Sequence, residues 1–379
     1  MILELKDMSD SVNETGMPSL NPLRRHQLLI GVVILTILAV LFVFGRGWAA
    51  SYYYEKGREY YFQNNYERAR SYFNRSIAFN SKNPAPHMYL GRIALGRVDR
   101  EGKEYYPDAD WKAALPHYKK ALDLGIEKTD TRAYAYVLEH LGHSYLRTQQ
   151  HEQAREVYLQ KINRFPNSFF GVPYLSTFWP RFLTAEMDFG RFNNPQEALE
   201  LLLPIANPDN ADPNNLYRVY TLLARLYAYT EDNERSEEFA ALAIRAAASF
   251  VDRDVAISHG LLALAAGSRK DFRSAEEEIK KANEIVGSPD GLNCVLARAY
   301  YAGENYKKAI EVAGKRKKTD DYLYSVCLVA LGNAHLALKN LSEAKKYYQE
   351  YLALTDTFTE KNVFVTRDRA RIQKELGKL

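Results

Sequence analysis

A chain of 379 residues with 46% hydrophobic and 26% charged residues has an ordinary globular balance, with far more core-forming material than a disordered chain carries. A net charge of +4, with no basic run interleaved with aromatics, argues against a nucleic-acid partner. The two cysteines, Cys294 and Cys327, form neither a disulfide framework nor a CxxC metal pair, and are expected as two small, half-buried thiols.

In chain order, the N-terminal stretch holds Pro18, Pro22 and scattered acids and reads as a disordered tail. Leu28 to Phe44, "LLIGVVILTILAVLFVF", follows with 17 residues and no charge. Helical rise makes it roughly 26 Å long, near the thickness of a bilayer core. Its Leu, Ile, Val and Phe residues favour insertion by about 4–8 kcal/mol in sum. The run is too long and too far from the start for an ordinary signal peptide, so it is expected to be an uncleaved single-pass anchor. Arg24 and Arg25 outweigh Arg46 across it, which places the N-terminus in the cytoplasm and the remainder on the far side, as in a bacterial inner-membrane protein facing the periplasm.

Beyond the anchor, small residues recur. Gly57 precedes Ala69 by twelve positions, and the same spacing links Gly142 to Ala154, Ala224 to Ser236, Ala263 to Ala275, Ala297 to Ala309 and Gly332 to Ala344. Small side chains on two antiparallel helices let their backbones approach, and the turn between them fixes the offset. Aromatics sit one turn beyond these anchors, at Tyr60, Tyr145, Tyr227 and Tyr300 and at Phe73, Tyr118, Tyr158 and Tyr348. Asn and Gly residues in "QNN", "GEN" and "LKN" mark the turns. Each pair leaves an apolar face that only a neighbouring pair can cover.

The slots Gly57, Tyr60, Tyr66, Ala69 and Phe73, and again Gly142, Tyr145, Ala154, Tyr158 and Pro166, resemble the tetratricopeptide repeat, a helix–turn–helix unit of 34 residues. The resemblance spans about residues 50–354 and implies an all-α solenoid of about eight helix pairs. The expected organisation is a disordered tail over 1–26, a transmembrane helix over 27–46, the solenoid over 50–354 and a capping helix over 355–379. Two units are irregular: a charged insertion over 97–110 lengthens the second, and Pro173 and Pro180 are expected to bend or break the first helix of the fourth.

No phosphate loop, dinucleotide fingerprint, GxSxG or HExxH is present, so neither catalysis, nor a cofactor, nor a small-molecule substrate is expected. His140 and His143 lie one turn apart beside Glu139 and could contribute to a metal site, but no third or fourth ligand suggests itself. The richer pattern lies on the first helices. The residue after each small anchor should face the concave wall of a solenoid. In order these are Arg58, Arg92, His143, Arg225, Leu264, Arg298 and Asn333, with Tyr54, Tyr61 and Tyr301 one turn away. Guanidinium forks flanked by stiff tyrosines suit a protein or peptide partner that is acidic or extended. The chaperone adaptors of this repeat family clamp a C-terminal carboxylate with Lys and Asn; here the first-repeat slots hold Tyr54 and Arg58, which argues against that narrower role. The expected function is a membrane-anchored scaffold that assembles a complex through its groove. The alternative is a self-assembling structural protein forming a ring or lattice in the cell envelope.

Overall fold

The computed structural model describes residues 22–96, 109–169, 175–209, 215–247, 252–288, 292–319, 321–358 and 363–379, with only the backbone described at 22–29 and 37–43. Every regular element among the described residues is helical. The chain divides into two compact units, residues 1–110 with 123–125, and residues 111–122 with 126–379.

The first unit holds α1 (Pro22–Phe62), α2 (Tyr66–Phe79) and α3 (Ala85–Leu95). Helices α1 and α2 pack as an antiparallel pair, and α3 lies against α2. Gly57 makes the first contact possible, because a Cβ there would sit 2.6 Å from the Phe73 ring. The Ser76 hydroxyl donates to the buried Ala50 carbonyl at 2.8 Å, tying the two helices at their far end.

The expected anchor is corrected here. Among the described residues no helix is long and apolar enough to cross a membrane. The apolar run does not stand apart as an independent rod: it belongs to the single helix α1, which continues into the first repeat with Glu55, Lys56, Arg58 and Glu59 on its surface. The expected single-pass placement, with its cytoplasmic N-terminus, is therefore not upheld. The expected N-terminal tail lies outside the described residues up to position 21.

The second unit runs α4 (Trp111–Asp123), α5 (Thr131–Arg147), α6 (His151–Arg164), α7 (Phe178–Gly190), α8 (Pro195–Leu202), α9 (Leu216–Tyr229), α10 (Asn233–Ala247), α11 (Arg253–Ser268), α12 (Phe272–Val286), α13 (Asn293–Ala302), α14 (Tyr306–Gly314), α15 (Tyr322–Ala337), α16 (Leu341–Asp356) and α17 (Val363–Leu376). Six antiparallel pairs form, from α5 with α6 to α15 with α16. The first helices α7, α9, α11, α13 and α15 lie side by side in chain order, and each second helix leans on the next first helix. This is a solenoid. The second expected pair, Gly91 to Ala114, falls across the two units, and its insertion lies outside the described residues at 97–108.

The anchors are where close packing needs them. Ala69, Ala114, Ala154, Ala198, Ala275, Ala309 and Ala344 are all 0% exposed, so no larger side chain fits without moving a helix. The glycines of the first helices receive aromatic rings: Tyr158 covers Gly142 and Tyr348 covers Gly332, in each case where a Cβ would overlap the ring. Gly267 on α11 goes further. A Cβ there would lie 2.7 Å from the Ala299 Cα of α13, so backbone meets backbone. Gly267→Ala is expected to cost about 2–3 kcal/mol in a urea melt, because a packed backbone cannot turn aside as a side chain can. Gly314→Ala, with nothing within 4 Å, is expected to be nearly neutral.

The turns repeat as closely as the anchors. Asn64, Gln149, Asn193, Glu231, Lys270, Glu304 and Lys339 all take the left-handed conformation, with φ between 56° and 65°. The next residue closes the turn, as where the Asn65 N–H donates to the Tyr60 carbonyl at 2.9 Å and the Asn340 N–H to His335 at 2.9 Å. Asn65, Asp271 and Asn305 then cap the second helix by accepting from a backbone N–H three residues on. A lysine in this conformation is strained where glycine is not. Lys339→Gly is expected to stabilise the fold by about 0.5–1 kcal/mol, seen as a later denaturation midpoint.

Two further expectations change. Pro180 does not break its helix, because α7 begins at Phe178 and leaves proline in the first turn, where no intrahelical carbonyl awaits its missing N–H. Cys294 and Cys327 are not free thiols: they form a disulfide between α13 and α15, with both sulfurs buried. Their separation of 33 residues is close to one repeat, so successive first helices bring them together.

Candidate protein-binding surface

In the first unit, the expected groove residues converge on one ring. Tyr89 of α3 is 6.1 Å from Tyr54 and 5.1 Å from Tyr61, centroid to centroid. Arg58 donates from Nε to the Tyr89 hydroxyl at 3.3 Å and pairs with Glu55 at 3.0 Å. Arg92 lies over both Tyr61 and Tyr89. The cluster therefore packs on itself: Tyr61 is buried and both guanidinium groups lie over tyrosine faces.

His143 is likewise packed. Its ring stacks 6.1 Å from Trp111 of α4, meets Tyr158 edge-on, and its Nδ1 donates to the Glu139 carbonyl at 2.8 Å. Burial holds its imidazole below the usual range, against the pull of Glu139. Glu139 itself is taken by Lys161, 2.5 Å away and fully buried, and His140 donates to the Tyr136 carbonyl on its own helix. Among the described residues no group of three or more metal-ligating side chains comes together.

Four more of the expected residues, Arg225, Arg298, Tyr301 and Asn333, lie on the first helices α9, α13 and α15 of the second unit. Arg225 of α9 reaches over Phe189 of α7. Beside it α7, α9 and α11 enclose a cavity of about 200 Å³ lined by Trp179, Phe182, Glu186, Arg218, Thr221, Arg225 and Asp254. Desolvation by the surrounding helices pushes the Glu186 carboxyl upward, against the pull of Arg225. Arg218 is shared between Asp252 and Asp254, at 3.6 and 3.8 Å. Among the described residues no carboxylate lies within ion-pair distance of Arg225 or Arg298. Further along, the Tyr322 hydroxyl is pushed up by burial and feels Arg298, Asp368, Arg225 and Arg367 together.

Asn333 faces the chain's own last helix, whereas Tyr301 packs 5.6 Å from Tyr306 of α14. Asn333 Oδ1 accepts from Arg371 of α17 at 3.0 Å and from the Tyr348 hydroxyl at 2.8 Å. At the other end of α17, Arg367 stacks 4.8 Å over Tyr229 and donates to its carbonyl, and Phe364 meets Phe189 and Tyr229 edge-on. The expected wall is thus partly covered from within. Glu186, Asp254 and Tyr322 complete the surface and are absent from the sequence reading, since none follows a small anchor. An acidic or aromatic residue at an inner-face turn was their one available signal.

Two tetratricopeptide-repeat family models match the chain, one at residues 50–83 and 327–357 and one at 136–168. These segments are the α1–α2, α15–α16 and α5–α6 pairs, so the chain carries tetratricopeptide repeats at both ends and within. No curated protein sequence matches it. Among solved structures, Pseudomonas aeruginosa PilF is similar at 13% identity over 87% of this chain and 99% of that one, with a TM-score of 0.23. The TPR2AB-domain:pHSP90 complex of yeast Sti1 is similar at 17% identity over 82% and 99%, with a TM-score of 0.31. The P58(IPK) TPR domain is similar at 15% identity over 87% and 98%, with a TM-score of 0.22.

Proposed function

We propose that this tetratricopeptide-repeat chain is a scaffold that holds an acidic segment of a partner protein along the inner layer of residues 111–379. Repeats of this kind generally bind proteins or peptides without catalysing a reaction, and no catalytic motif occurs in the sequence. One observation carries the site. Arg225 on α9 and Arg298 on α13 both lie within electrostatic reach of Tyr322, and neither has a carboxylate partner among the described residues. A guanidinium held beside low-dielectric aromatic surface gains most when a carboxylate arrives. The recess between α7, α9 and α11 is sized for one side chain of the partner and is lined by Arg225, Trp179 and Phe182 among others.

The reading excludes Arg58 as an anchor of comparable weight, since Glu55 and Tyr89 already engage it. Arg225→Glu with Arg298→Glu is therefore expected to reduce partner recovery in co-purification at least tenfold, the loss of two charge-assisted contacts being worth more than about 1.4 kcal/mol. Arg273→Glu on the second helix α12, 88% exposed, is the matched control and should leave recovery unchanged. Equal recovery with the doubly reversed wall removes the proposal.

A further inference from the structure

A helix that merely closed the last repeat would need to cover α15 and α16. Helix α17 covers much more. Its final turns place Ile372, 0% exposed, in the core shared by α13 to α16. Its first turns place Val363 among Phe189, Tyr220 and Leu226 of α7 and α9, and Arg367 bonds to Tyr229, 138 residues away. Over 14 residues, or roughly 21 Å, it crosses the inner layer from the last repeat back to the fourth. Asp368 pairs with Arg371 on its own helix at 3.7 Å and lies, with Arg225 and Arg298, within electrostatic reach of Tyr322.

The seat of α17 is lighter than that of α15, the first helix of the last repeat. Three of its residues are buried, against ten in α15, a helix of similar length. Much of its hold is polar and partly exposed, through Arg367 to the Tyr229 carbonyl, Arg371 to Asn333 and Arg369 to the Leu352 carbonyl. Segments with few buried apolar contacts open locally well below the cost of global unfolding.

We propose that α17 is an exchangeable resident of the inner groove, and that the partner segment which replaces it is an amphipathic helix with an apolar ridge and a carboxylate placed as Asp368 is. This rests on the reading of the inner layer as the partner surface, and adds to it the form of the partner and a built-in competitor. A partner helix must then bind the open fraction only, so its apparent affinity is reduced by the fraction of chains in which α17 has left.

The test uses the full-length chain and a fluorescein-labelled synthetic peptide of residues 361–379. Arg367→Ala with Arg371→Ala removes two polar holds and leaves Val363, Val365 and Ile372 in place. The labelled peptide should bind this variant at least tenfold more tightly than it binds the unaltered chain, and an Asp368→Arg peptide should lose at least tenfold. Hydrogen exchange on the unaltered chain gives the same answer without a variant: α17 amides should exchange at least tenfold faster than those of α15. Peptide binding to neither chain, or α17 amides exchanging only together with α15, overturns the proposal. A dimer that grows with concentration through swapped α17 helices also overturns it. Loss of partner through Arg225→Glu and Arg298→Glu, with α17 protected throughout, would leave the acidic-partner wall standing and remove only the exchange.

Discussion

Lys161→Met should destabilise the second unit by about 3–5 kcal/mol at neutral pH, the largest loss expected of any single substitution in this chain. Lys161 is 0% exposed and its ammonium meets Glu139 Oε2 at 2.5 Å. Burial lowers the Lys161 ammonium from its ordinary range, against the pull of Glu139. Burial alone would raise the Glu139 carboxyl, but Lys161, with His140 and His143 behind it, holds it below the usual carboxylate range. Removing the lysine leaves a charge facing Tyr158 and two imidazoles with nothing to offset it. Adding Glu139→Gln should restore most of the stability, since replacing both charges removes both desolvation costs. The pH dependence has a definite sign. A carboxylate whose folded pKa is depressed stabilises above the unfolded value of 4.5, and that contribution disappears as pH falls from there through the folded value. The single variant should behave oppositely, gaining stability on acidification as Glu139 takes up a proton. Urea melts from pH 7 down to about pH 2 check both; parallel curves for the two proteins would contradict the assigned pairing.

Breaking the Cys294–Cys327 bridge should lower stability by about 3–4 kcal/mol, the chain-entropy value for a closed loop of 33 residues. The bridge joins α13 to α15, where Leu328, Ala330, Leu331 and Tyr348 build the core that also receives Ile372 of α17. Loss of the bridge should therefore loosen the last two repeats first. Cys294→Ala with Cys327→Ala is the cleaner comparison, because both positions are buried and an alanine pair adds no polar group. Fragmentary protease digestion confined to residues beyond the α12 end would mark that local loosening. A variant with an unchanged melt would show that the closed loop constrains little in the unfolded chain.

The repeat itself is legible because twelve-residue spacing of small residues reports a packing limit rather than a preference. Ala69, Ala154, Ala309 and Ala344 are fully buried for that reason, and Gly57, Gly142 and Gly332 lie beneath Phe73, Tyr158 and Tyr348. The turns are half legible. Asparagine and aspartate announce the cap of the second helix, but the left-handed residue before it is lysine, glutamate or glutamine as readily as asparagine, since the closing backbone bonds outweigh the local strain. The inner wall is legible only as a list of directions. Position after a small anchor gives an expected direction for Arg225 and Arg298; it does not tell that Arg58 and Arg92 lie against tyrosines, or that Asn333 is bonded by Arg371. Those partners come from other helices, 31 residues away in sequence for Arg58 and 38 for Asn333. Cysteine count misled for a similar reason, because a pair one repeat apart becomes adjacent only once the first helices are stacked. Apolar length misled at the N-terminus, where the run is part of a longer helix that enters the first repeat and no described helix meets the length and apolarity of a membrane span.

A photoreactive benzoylphenylalanine placed at Tyr322 tests the central claim most directly. Tyr322 is 38% exposed at the start of α15 and lies within electrostatic reach of Arg225, Arg298 and Asp368, so little disturbance is expected from the exchange of one aromatic for another. Irradiation should trap one partner protein from Tyr322 and none from the same group at Arg273 on α12. Trapping of equal strength at both positions, or at Arg273 alone, would contradict a partner held on the inner layer.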